Sequence, residues 1–156
     1  MRKFIAFLLL LLWLPAYAGT WGPGTFDSDQ ALDTSSDWAE SGTVEDIRAA
    51  LEGATSESYL QAPDAENALV AAEVVAASWG KPSEDLPADL SKWIEGQSRA
   101  ELRALTQSAL AAIASVRRTE GSELQELWAE VGAAEWHSHL DDLVVRLRTG
   151  AAGHEP

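Results

Sequence analysis

Apolar residues along this chain recur at helical spacing, and no segment alternates as a strand would. Val44, Ile47, Leu51 and Ala54 share one face of a predicted helix that Thr43 caps and Glu45 and Asp46 open. The next stretch, "DAENALVAAEVVAASWG", is the least polar in the chain outside the leader. It predicts a central helix from Pro63 to about Trp79-Gly80. A short helix follows over Ala88–Glu95. Ser98 with Glu101 opens a long one to about Arg118, with Leu102, Leu105, Ala109, Ile113 and Val116 as its stripe. Ser122 with Gln125 repeats that capping pattern ahead of Leu124, Leu127, Trp128 and Val131. After Gly132, a last helix carries Trp136, Leu140, Leu143, Val144 and Leu147, with Gly150 as its C-terminal cap. Nearer the start, Asp27 with Gln30 predicts a first helix over about Ser28–Asp37. The expected fold is all-α: one compact domain of six or seven helices over residues 19–150, behind a Gly-rich loop, with 151–156 as a disordered tail.

Residues 1–18, "MRKFIAFLLLLLWLPAYA", have the parts of a secretory signal peptide. Arg2 and Lys3 precede an apolar run from Phe4 to Leu14, and Ala16-Tyr17-Ala18 is a small-x-small cleavage site. The run is shorter than the roughly 20 residues of a membrane span. The expectation is cleavage after Ala18 and a periplasmic or secreted product with no membrane association. An uncleaved anchor is the alternative. With no cysteine in the chain, stability must come from apolar packing, for which seven tryptophans are suited.

Charge narrows the partners. Acids number 25 against 11 bases, a formal net charge of −14. Loss of Arg2 and Lys3 with the leader would leave nine bases and a net charge of about −16. Such a surface repels nucleic acid, which needs clustered Lys and Arg. It attracts a basic protein.

Candidate chemistry is sparse. In "GTWGPGTFDSDQALD", Asp27, Asp29 and Asp33 invite comparison with a calcium loop. The sixth position counted from Asp27 is Leu32, where glycine is needed, and the twelfth is Trp38, where glutamate is needed. The glycines lack the Lys-Ser/Thr of a phosphate loop, and turns at Gly22 and Gly24 around Trp21 and Phe26 account for them better. Glu73 stands out because it lies inside the apolar central helix, where a carboxylate needs donors. The expectation is a half-buried Glu73 that accepts bonds from N–H groups of the Gly-rich loop or from the Trp21 indole. Glu66 shares its helix face and offers a second carboxylate for acid–base work. His137 and His139 point about 200° apart on a helix, so they cannot share a metal, while His137 and Asp141 are spaced to pair. Trp128 and Trp136 read as core anchors. There is no HExxH or Gly-x-Ser-x-Gly pattern. No catalytic set, metal site or cofactor is assigned.

The segment "TWGPGTFDSDQALD" resembles the opening of the domain-of-unknown-function 4259 family, a bacterial family whose pattern is carried here by Trp21, Gly22, Gly24, Phe26, Asp27, Asp29, Ala31 and Asp33. Two later segments, Tyr59 to Gly80 and Ser122 to Leu147, also resemble it. Ser28 stands where the family usually has Asn, and a signal peptide precedes the pattern. The resemblance implies a small helical domain of no known activity and directs attention to Trp21, Phe26, Asp27, Asp29 and Glu73. The functional expectation is a non-catalytic module that binds a basic protein, in its sharpest form an immunity-type inhibitor. The rivals are a carboxylate-based hydrolase or metal-dependent enzyme using Asp27, Asp29, Glu66, Glu73 or His137, and a structural envelope protein.

Overall fold

A computed structural model describes residues 22–153. The leader, its cleavage site, Gly19 to Trp21 and the last three residues lie outside the described part. After one 3-10 turn at Thr25–Asp27, eight helices follow: α1 (Asp29–Ser41), α2 (Val44–Ser56), α3 (Ala62–Ser78), α4 (Ala88–Glu95), α5 (Arg99–Ala104), α6 (Thr106–Val116), α7 (Glu123–Val131) and α8 (Ala134–Ala152). No helix among the described residues is long and apolar enough to cross a membrane.

The least polar segment is the axis of the fold. From Ala68 to Ala76 every residue of α3 is buried, and α3 packs against each of the other seven helices. A helical segment surrounded on all sides cannot be amphipathic, and from Ala68 to Ala76 α3 is accordingly apolar around its circumference except at Glu73. The outer helices turn stripes inward: Ile47, Leu51 and Ala54 from α2; Ala109, Ile113 and Val116 from α6; Leu140, Leu143 and Leu147 from α8. Thr43 caps α2 with Asp46 as its reciprocal partner. The Thr43 side chain accepts from the Asp46 N–H at 3.3 Å, and Asp46 accepts from the Thr43 N–H at 2.8 Å. The Thr43 hydroxyl also donates to Asp46 Oδ2 at 2.7 Å, and that bond, with the one from the Thr43 N–H, holds the Asp46 carboxyl below its ordinary range.

Five expectations need correction. The helix count exceeds seven because the long helix after Ser98 breaks at Leu105 (φ −84°, ψ 2°). There the Thr106 hydroxyl donates to the Arg103 carbonyl at 2.7 Å and receives the Trp79 indole N–H at 2.9 Å. A hydroxyl that takes a backbone carbonyl competes with the helix ladder, and its tertiary partner is 27 residues away. The first helix runs four residues further than expected, to Ser41, and is capped by Ser28 rather than Asp27. Ser122 precedes α7 but does not form a capping box, because its hydroxyl donates to the Val116 carbonyl at 2.7 Å. Val131, placed on the inner stripe of α7, is 74% exposed because that helix ends there. Gly150 does not cap α8, which continues through it to Ala152, in the span expected to be disordered. Glycine is needed there for another reason: a Cβ would lie 2.5 Å from Trp79 Cβ. By contrast Gly132 (φ 107°) does need its conformational freedom. It reverses the chain so that Trp128 and Trp136 stack, with centroids 5.8 Å apart and planes 9° from parallel.

Candidate functional site

The candidate site forms where the N-terminal turn, α3 and α8 meet. Burial of α3 on every side carries Glu73 into the core at zero exposure. An ionised carboxylate there needs a charged donor. On α8, His139, Asp142 and Arg146 fall at i, i+3 and i+7, on one face beside the buried leucine stripe. Arg146 meets Glu73 as a fork: Nη1 donates to Oε2 at 2.7 Å and Nη2 to Oε1 at 2.8 Å. The Arg146 Nε donates to Asp142 at 2.7 Å, and Nη1 also reaches the Lys81 carbonyl at 3.1 Å. Burial works to lower the Arg146 pKa, but the Glu73 and Asp142 carboxylates outweigh it and hold the guanidinium above its already high ordinary value.

The N-terminal turn closes the arrangement. The Thr25 backbone N–H donates to His139 Nε2 at 3.1 Å, and the Thr25 hydroxyl lies 2.9 Å from the same nitrogen. An amide N–H requires a lone pair on Nε2, so in this geometry the ring proton sits on Nδ1. The Thr25 hydroxyl also reaches Glu73 Oε1 at 3.4 Å. The approach of His139 Nε2 to Glu73, 3.7 Å, therefore has no proton between the two atoms. Three distant segments are tied through one carboxylate. Both oxygens of that carboxylate are bonded, and none of its surface reaches solvent.

Glu73 is thus fully buried rather than half-buried, and its partners differ from those expected. Among the described residues, the N-terminal turn reaches Glu73 through the Thr25 hydroxyl rather than through an N–H group, while Trp21 lies outside the described residues. Arg146, Asp142, His139 and Thr25 were missed by sequence reading. The available signal was the i, i+3, i+7 spacing on α8, together with the rule that a buried acid needs a base.

The remaining candidates are dispersed. Asp27 is exposed and folds back, accepting the Gly24 N–H at 2.8 Å. A Cβ on Gly22 would lie 2.2 Å from the Asp27 carboxylate, and one on Gly24 2.9 Å, so a side chain at either position would displace that carboxylate. Phe26 is buried beside them. Asp29 and Asp33 stay exposed on α1, and among the described residues no three His, Asp or Glu side chains are grouped to hold a metal ion. Glu66 does not join Glu73. It bonds to the Ser28 side chain, and burial pushes its carboxyl above the ordinary 4.5 against that bond. His137 and Asp141 do not pair: His137 Nε2 meets Gln125 Oε1 at 2.8 Å, and Asp141 takes Arg117. Gln125 reaches His137 from α7 and Arg117 reaches Asp141 from the residue that ends α6, a choice that i, i+4 spacing cannot reveal.

A family model described as Domain of unknown function (DUF4259) matches residues 19–139, a span that holds Thr25, Glu73 and His139 and stops short of Arg146. No curated protein and no solved structure matches the chain.

Proposed function

Since the chain belongs to the DUF4259 family of unknown function, we propose that it is a non-catalytic protein-binding domain whose partner is a basic protein. The reading rests on the state of Glu73. A general acid or base must reach a substrate proton within hydrogen-bond distance. The one carboxylate buried in the core among the described residues instead has both oxygens engaged by Arg146 and no exposed surface. The cluster is a brace that joins the N-terminal turn to α3 and α8. What the chain presents outward is charge, with 25 acids against 11 bases. Long-range attraction of that kind steers a basic partner and suits surface occlusion. The leader-like residues 1–18 support a site of action outside the cytoplasm, in a periplasm or beyond it, as an immunity-type inhibitor would require.

The test is affinity capture with tagged protein in a lysate of its source, at low and at moderate salt, with the captured proteins identified by mass spectrometry. One dominant basic partner that weakens as salt rises is expected. Nothing basic captured at low salt overturns the proposal.

A further inference from the structure

A half-open groove of about 450 Å³ runs between α1, α2 and α3, on a different face from Glu73. Its volume is within the range of ligand clefts. Gly53 and Ala54 of α2 line it, and a Cβ built on Gly53 meets no atom within 4 Å, so the groove is open space at that point. Trp38 forms part of the wall. Asp37, Glu57 and Asp64 stand along the lining, and no Lys, Arg or His does. Within the groove, Asn67 Oδ1 accepts from the Thr34 hydroxyl at 2.6 Å and from Gln30 Nε2 at 3.0 Å. Gln30 Nε2 also donates to Thr34 Oγ1 at 3.3 Å. With both amide protons engaged, Gln30 has its carbonyl oxygen, an acceptor, left to offer.

We propose that this groove receives an arginine side chain of the basic partner. This deepens the proposed function and rests on it. An aromatic wall, carboxylates from three segments and a polar trio together suit a planar guanidinium, which can stack on an indole while donating sideways in several directions. A lysine ammonium is a point charge and uses less of this geometry.

The probe is N-acetyl-arginine amide, titrated into ¹⁵N-labelled protein and followed by amide and indole chemical shifts. Saturable shifts at Trp38, Gly53 and Asn67 are expected, with dissociation constants on the order of millimolar for so small a ligand. The neutral citrulline analogue should produce none. The variant D37N/E57Q/D64N keeps the shape of the groove and should bind at least about tenfold more weakly, and Gly53→Trp should abolish binding by filling the space. Absence of saturable shifts, or equal shifts with the citrulline or lysine analogue, overturns the arginine assignment. The two proposals fail separately. A basic partner captured equally by wild type and by Gly53→Trp removes the groove and leaves the binding function. Wild type that captures no basic protein removes the function, whatever the arginine amide does.

Discussion

Replacing Arg146 with methionine should be the most damaging single change in the brace. Glu73 has zero exposure and Arg146 retains only 14% of its side-chain surface in solvent, so screening by water is slight. The methionine keeps a similar apolar stem but, among the described residues, leaves Glu73 only the Thr25 hydroxyl as a hydrogen-bond donor, at a long 3.4 Å. Breaking one side of a buried ion pair costs about 3–5 kcal/mol, because the remaining charge is uncompensated. That is a large share of the about 5–15 kcal/mol that holds an ordinary domain folded. With a urea slope of about 2 kcal/mol/M, the unfolding midpoint should fall by about 1.5–2.5 M. The double variant Glu73→Met with Arg146→Met removes both charges and should recover most of the loss. Urea unfolding of the wild type, both single variants and the double variant forms a complete cycle. A loss below about 1 kcal/mol for Arg146→Met, or a double variant no more stable than the single, would refute the claim that Glu73 is held ionised by Arg146.

Two glycines should respond in opposite directions to alanine. Gly150→Ala forces a Cβ to within 2.5 Å of Trp79 and should cost about 1–3 kcal/mol in thermal or urea unfolding, despite alanine's helix preference. Gly53→Ala meets open space and should stabilise α2 by about 0.5–1 kcal/mol; equal signs for the pair would contradict the packing described. Glu66 holds its proton to higher pH when folded than its ordinary 4.5, so its contribution to stability is complete below that value and is lost as pH rises through the raised one. Glu66→Gln should therefore gain on wild type as pH climbs from 4.5 and level off once the raised value is passed, which a pH series of urea midpoints reads directly; a constant difference would show that burial does not act on this carboxyl. Calcium, zinc or EDTA should leave the melting midpoint unchanged, and a midpoint that climbs with metal concentration would restore the metal-enzyme reading.

Much of the architecture was legible in the chain because helix signals are local. Capping by Thr43, the stripe Ile47–Leu51–Ala54 and the limits of α4 each depend on residues within one or two turns, and periodicity of 3.6 reports them without reference to the rest of the molecule. The uninterrupted apolar run around Glu73 likewise marked α3 as the central helix, since only a surrounded helix can be apolar on every face. Its acid also announced that a partner had to exist.

Which partner it would be lay beyond any local rule. Arg146 is 73 residues from Glu73 and Thr25 is 48 residues away, and they meet because α8 and the N-terminal turn pack on the same side of α3. The same holds for Gly150, which reads as a helix stop in sequence and serves as the surface on which Trp79 lies. It holds again for Leu105, where a hydroxyl bonded to a distant indole breaks a stripe that is otherwise unbroken. His137 chose Gln125 over the Asp141 one turn away. The sequence by itself determined where helices form and which faces are apolar, because those follow from bonds and contacts a few residues long. The tertiary structure alone decided which polar groups meet, because buried charge is satisfied by whichever donor the packing brings within about 3 Å, and packing is a property of the whole chain.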